Sequence, residues 1–208
     1  MPIAPELTRR QRKKIITREN LLAVALEIIS KQSIYVTTIE NVTEKADIGK
    51  GTFYQYFSSK EALLEQLLRE GLDKLTTLCR SSIRETKSSE DAVKTLTKVH
   101  VDFLMDNNNY LQLFHQVRGY LQLKHPVSAN LRKIYSHYLF ELADLFASFF
   151  GKSTQNTDKA KEAALTLAAY ATGLATHHRL FHRLLDLRMD REVIERRIVK
   201  ALLLTTTA

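Results

Sequence analysis

The sequence predicts an all-α fold. Three observations predict it. Glycine and proline are scarce, six and three among 208 residues, so little interrupts a helix. Apolar residues recur at spacings of three and four rather than two. Long stripes carry that period: Leu21, Leu22, Val24, Ala25, Ile28 and Ile29; Leu63, Leu64, Leu67, Leu68, Leu72 and Leu75; Leu131, Ile134, Tyr135, Tyr138, Leu139, Leu142, Phe146 and Phe149. No internal repeat is visible.

The punctuation frames a compact region after the first stripe. Thr37-Thr38-Ile39-Glu40 and Ser58-Ser59-Lys60-Glu61 match the capping box, in which a hydroxyl and a carboxylate three residues apart satisfy the first amides of a helix. Helices are therefore expected from about Thr38 and from about Ser59. Between them Ala46-Asp47-Ile48-Gly49 breaks the pattern, with the glycine expected to take the turn conformation. Lys50 to Phe57 then gives about two turns. Helix, tight turn, short helix and long helix is the order of a helix-turn-helix. Ile39, Val42, Ala46, Ile48, Phe53 and Phe57 would form its core, leaving Tyr54, Gln55 and Tyr56 outside. Farther on, helices are expected over about Asp91–Met105, from Tyr110 to a stop at Lys124-His125-Pro126, over Ser128–Phe150, over Lys159–Leu187 and over Arg191–Leu204. Gly151 to Asp158 reads as a linker.

Composition narrows the function. The formal net charge is +8, which favours a polyanionic partner. From Thr8 to Arg18 the bases Arg9, Arg10, Arg12, Lys13, Lys14 and Arg18 stand with no acid. Residues 1–16 read either as a solvated tail or as a basic arm lying along phosphates. No apolar run reaches the ~18 residues of a membrane helix. The basic N-terminus leads into Thr17-Arg18-Glu19-Asn20 rather than an apolar signal core, so a cytoplasmic protein with no membrane contact is expected. Cys79 is the single cysteine. It cannot form an internal disulfide, has no histidine or charged partner that the sequence reveals, and reads as a packing residue. Histidines 177, 178 and 182 crowd together, and His178 and His182 could share a helix face. No cysteine or glutamate joins them in a zinc pattern, and Arg179 and Arg183 oppose a cation, so no metal is assigned. No nucleophile–base pair, glycine-rich phosphate loop or catalytic carboxylate pair appears, so neither an enzyme nor a cofactor is expected.

The run from Thr37 to Leu63 resembles the TetR family of bacterial repressors. Its most specific part is Lys50-Gly51-Thr52-Phe53-Tyr54, then Tyr56-Phe57, then Lys60-Glu61, and the Leu21–Ile29 stripe resembles the family's first helix. The resemblance implies a homodimer that binds double-stranded DNA through residues 1–60 and carries an effector-binding and dimerisation domain over 61–208. It also implies a repressor that a small-molecule ligand releases from a palindromic operator. Carried over residue by residue, Thr38 would donate to a phosphate besides capping its helix, and Lys50 would meet a phosphate or a guanine edge. Gly51 and Thr52 would lie against backbone or base, and Tyr54 against the groove wall. Gln55 would pair with an adenine edge. Tyr56 and Lys60 would hold flanking phosphates. Gly49 departs from the family's usual Ser or Thr and is left out of the site.

In the C-terminal part, Phe103, Phe114, Tyr135, Tyr138 and Tyr170, with His100 and His177 as polar groups, are the candidates for an effector pocket; plain core is the competing reading. Ala163, Ala164, Leu167, Ala168, Ala171, Gly173, Leu174 and Ala175, with Val193, Ile194, Ile198, Leu202 and Leu203, suit dimerisation or packing within the chain. A DNA-binding protein without any inducer, acting through protein partners or by occlusion, remains the alternative.

Overall fold

The computed structural model describes residues 8–122, 126–150, 153–185 and 190–207. Among these residues every regular element is helical. The chain divides into two compact units, and the boundary falls between Leu67 and Leu68, inside one helix.

The first unit holds α1 (Arg9–Lys31), α2 (Ile39–Lys45), α3 (Lys50–Tyr54) and the start of α4 (Lys60–Ser82). The basic segment from Arg9 onward is helix, not a tail or an arm. Thr8 caps α1: its hydroxyl accepts from the Gln11 amide at 3.2 Å, and the Gln11 side chain accepts from the Thr8 amide at 2.8 Å. Residues 1–7 of the expected arm lie outside the described residues.

The cap of α2 also differs from expectation. Thr38, not Thr37, is the N-cap, and its partner is Asn41, not Glu40. Thr37 is buried and its hydroxyl donates to the Ser33 carbonyl at 2.6 Å. The next cap likewise falls one residue later than the motif suggests: Ser59 accepts from the Ala62 amide at 3.1 Å.

At the end of α2 the residue in the left-handed region is Asp47, with φ 54°. Gly49 has an extended φ of −74°. The Asp47 amide donates to the Glu44 carbonyl and the Ile48 amide to the Thr43 carbonyl. This paired closure satisfies the last carbonyls of α2 and turns the chain into α3. The Asn20 side chain of α1 donates to the Ala46 carbonyl at 3.3 Å and ties the turn to α1.

The second unit holds the rest of α4, a 3-10 turn (Ile83–Glu85), α5 (Ser89–Asp106), α6 (Asn108–Tyr120), α7 (Pro126–Phe150), α8 (Thr154–Leu185) and α9 (Arg191–Thr207). Lys124 and His125, expected to end a helix, lie outside the described residues. Most of the expected linker belongs to α8, which begins at Thr154; Gly151 lies outside the described residues.

Helix α8 packs against α5, α6, α7 and α9. Its small residues make that possible: Ala163, Ala164, Ala168, Ala171 and Ala175 are buried inside this chain, as are Leu167 and, on α9, Ile194, Ile198 and Leu202. These residues are thus used in packing within the chain. Leu165, Leu180 and Phe181 of α8 remain exposed. Arg191 closes the start of α9 onto α5 through Asp102 and Asp106, each at 2.6 Å.

The left-handed turn can be tested. A β-branched side chain is strained at positive φ, so Asp47→Val should destabilise the protein by about 1–2 kcal/mol, whereas Asp47→Gly should hold or raise its stability. Denaturant midpoints measure both; equal loss in the two variants would show that the side chain of Asp47, not its backbone angle, is what matters.

Candidate nucleic-acid interface

Helix α3 has five residues, too few to be stable alone. Phe53 fixes it. Its ring is fully buried and lies 5.5 Å edge-on to Tyr54 and 5.8 Å from Phe57. Phe57 is buried beneath the Arg18 guanidinium, 5.7 Å above its ring. Val42 and Ala46 complete the core as expected; Ile39 and Ile48 are only half-buried. With Phe53 inward, Lys50, Gly51, Tyr54 and Gln55 are exposed, and Thr52 and Tyr56 are half-buried. A methyl group added at Gly51 would meet nothing within 4 Å, so the fold itself makes no demand for glycine there.

Lys50 forms an exposed ion pair with Glu40 at 2.5 Å. The hydrogen bond from Lys50 holds the Glu40 carboxyl below its usual range, helped by Glu40's own backbone, and the same bond raises Lys50. Thr38 is exposed at the start of α2, where it also faces Glu40.

Lys60 is placed otherwise than the resemblance implies. It is half-buried, and its ammonium donates to the Thr37 carbonyl at 2.9 Å and the Ile34 carbonyl at 3.2 Å. An ammonium has three donors, so most of its capacity fastens α4 to the loop between α1 and α2.

Beside α3 runs a groove of about 360 Å³. Thr52, Gln55 and Tyr56 line one side; Arg10, Lys13, Lys14 and Thr17 of α1 line the other. The sequence does not announce this juxtaposition, because the basic segment reads equally as a solvated tail or a basic arm. The signal that it is helical is present in Thr8 and Gln11, a capping-box pair three residues apart ahead of the bases.

None of the seven effector candidates of the second unit lines the groove beside α3 or the larger one between α5 and α9. His100 and Tyr138 are buried and joined at 2.7 Å, with the Tyr135 ring 5.6 Å from Tyr138. Phe103 and Phe114 close around Tyr110, with ring centroids 5.7 and 6.0 Å from it. Tyr170 and His177 are exposed on α8; the His177 ring donates to the Gly173 carbonyl. A separate groove of about 750 Å³ runs between α5 and α9, lined by Lys94, Lys98, Glu195, Arg196, Val199 and Leu203 among others. It contains none of the seven. His182 lies outside the residues whose side chains are described.

Cys79 does have a histidine neighbour, contrary to expectation: its Sγ lies 3.7 Å from His100 Nδ1. That nitrogen must carry the proton, because it bonds the Leu96 carbonyl at 2.8 Å. Nε2 then accepts from the Tyr138 hydroxyl. Burial pushes the His100 imidazole down to about 4 and the Cys79 thiol up to about 12. A neutral imidazole beside a protonated thiol does not activate it, so Cys79 remains a packing residue.

Residues 21–67 match the family model described as bacterial regulatory proteins, tetR family. The chain is 41% identical over 61 residues to the HTH-type transcriptional regulator YvdT of Bacillus subtilis, covering 27% of this chain and 31% of that protein. It is 27% identical over 164 residues to the HTH-type transcriptional regulator BetI of Burkholderia cenocepacia, covering 76% and 80%. Across YvdT and two further Bacillus subtilis regulators, the matches span 31%, 35% and 46% of those relatives' lengths. Among solved structures, the fold is similar to the regulator FadR of Bacillus subtilis in complex with stearoyl-CoA, with TM-score 0.72, 15% identity and coverage of 88% and 96%. It is also similar to the fatty acid degradation regulator FadR of Bacillus halodurans, with TM-score 0.71, 19% identity and coverage of 89% and 97%.

Two measurements test these local assignments. Lys60→Ala would leave two carbonyls unsatisfied and should lower stability by about 1–3 kcal/mol; unchanged thermal unfolding would refute the fastening role. His100 binds its proton more weakly folded than unfolded, so stability should be full above pH ~6.5 and fall as pH drops toward about 4, by up to ~3 kcal/mol. His100→Gln should flatten that part of the pH–stability curve; an unchanged slope would place the titration elsewhere.

Proposed function

We propose that this chain, whose residues 21–67 match the tetR family of bacterial regulatory proteins, is a DNA-binding repressor whose palindromic operator is released by a small-molecule effector. The observation that carries the reading is the division of α3. Its one buried ring holds the helix down, and its other side chains face outward with a glycine that the fold does not need. A glycine without internal cause fits close approach of backbone to a duplex.

In this reading Gly51 and Thr52 lie against the DNA backbone or a base, and Tyr54 packs on the groove wall. Gln55 reads a base edge, where a bidentate amide recognises adenine. Lys50 exchanges Glu40 for a phosphate or a guanine edge. That exchange is easy because an exposed ion pair contributes little. Thr38 and Tyr56 hold phosphates, and Lys60 has one N–H left for the same purpose. Residues 1–60 carry these contacts; residues 61–208 hold the effector and the dimer contact. The exposed apolar residues Leu180 and Phe181 near the end of α8 support a two-fold interface, and a two-fold dimer reads a palindrome.

Likeness of fold to a regulator bound to stearoyl-CoA makes a long-chain acyl-CoA the first effector to test. The closed packing of Phe103, Tyr110 and Phe114 favours a second reading, in which the protein regulates without an inducer.

Selection of bound duplexes from a random pool should enrich a palindrome. Gly51→Ala should keep or gain stability, since alanine is the better helix former by ~1 kcal/mol, yet bind the enriched duplex more weakly. Stearoyl-CoA should release that duplex if the inducer reading holds and leave it bound if the second reading holds. Recovery of unenriched DNA would refute sequence-specific regulation altogether.

A further inference from the structure

Resting on the reading of α3 as the recognition helix, we infer that the groove between α1 and α3 seats a phosphate of the DNA backbone, which makes α1 a positioning element of the interface.

The argument starts from helical spacing. Arg10, Lys13, Lys14 and Thr17 stand at i, i+3, i+4 and i+7 and share one face of α1. That face is the wall opposite Thr52, Gln55 and Tyr56. The Thr8–Gln11 box holds the turn in helical form, so the three cations are presented on a rigid element rather than on a tail. The chain carries 23 acidic residues against 31 basic ones, yet the groove has no acidic lining residue. Apart from Thr17, whose hydroxyl donates back to the Lys13 carbonyl at 2.9 Å, its side chains are cations, hydroxyls and an amide. All of them can donate to a phosphate oxygen. Several other bases of the unit are differently engaged: Lys31 and Lys45 hold Glu27, Lys50 holds Glu40, Lys60 holds two carbonyls, and Arg18 lies over the Phe57 ring.

A phosphate between the two walls would touch α1 and the C-terminal end of α3 together. It would carry no sequence information, but it would fix how deeply and at what register α3 sits. Gln55 shares that groove, so its amide would be held beside the seated backbone.

The test compares two charge-matched variants of the full chain. Arg10→Ala/Lys14→Ala removes two of the groove's three cations. Arg9→Ala/Arg12→Ala removes the same charge from positions that do not line it. Both are measured against the duplex that the wild type selects from a random pool, and against the unselected pool. The groove variant should lower the slope of log affinity against log salt by about one per bound protomer, for the one phosphate no longer neutralised. It should also lose the ethylation-interference signal at one phosphate per half-site, with the enriched sequence unchanged. The control variant should keep that signal and most of the slope. Equal loss in the two variants would mean only a general field and overturn the proposal, as would an unchanged interference pattern. A wild type that enriches no sequence would sink the regulator reading instead, and the two slopes on unselected DNA would still decide the groove.

Discussion

Everything the first unit presents to a partner depends on the burial of Phe53. A helix of five residues cannot offset its own ordering entropy. The side chain of Phe53 is fully buried, which contributes on the order of 1.5–3 kcal/mol. Because its ring must face the core, its burial also sets the rotation of α3 about its axis. Once that rotation is set, the outward position of Lys50, Gly51 and Gln55 follows from helical geometry. Anchor and recognition surface are thus the same short peptide, read on opposite sides.

The elements around α3 are closed by caps rather than by long packing surfaces. Asp47 ends α2 in the left-handed region, Thr38 starts it, Ser59 starts α4, and Lys60 ties α4 back to the loop at Ile34 and Thr37. Each device satisfies helix-end or loop groups that would otherwise be left without partners. None needs a large core, which is why so small a unit can hold its shape.

Much of this was legible beforehand, and the failures have physical causes. The helical period, the buried Phe53 and Phe57 and the outward Tyr54 and Gln55 follow from spacing alone. The cap of α2 was misplaced because Thr37 and Thr38 are both competent, and only burial of Thr37 decides between them. The turn residue was misplaced because glycine is the default for positive φ, whereas Asp47 tolerates it. The basic segment reads as a tail or an arm because its charge hides the Thr8 cap that makes it helical. In the second unit the missing information is non-local. The alanines of α8 suit a partner chain or a neighbouring helix equally, and which helix faces them is not encoded in their spacing. Cys79, His100 and Tyr138 come from three helices, and no local motif announces that they meet.

That buried polar string also shows why aromatic content is a poor guide to a pocket. A buried histidine must be neutral or paired. His100 is neutral because burial disfavours its charged form, and its two ring nitrogens are then satisfied by Leu96 and by Tyr138. Satisfied groups of this kind rigidify a core and leave nothing over for a ligand. Phe103, Tyr110 and Phe114 are likewise satisfied by one another. An effector entering among them would have to displace contacts already made, and would shift the equilibrium only by its preference for the displaced arrangement. Along the groove between α5 and α9 the cost is lower, because Val199 and Leu203 there line open space. An effector site in this unit therefore requires either a second packing of its aromatic core or a ligand that binds outside it.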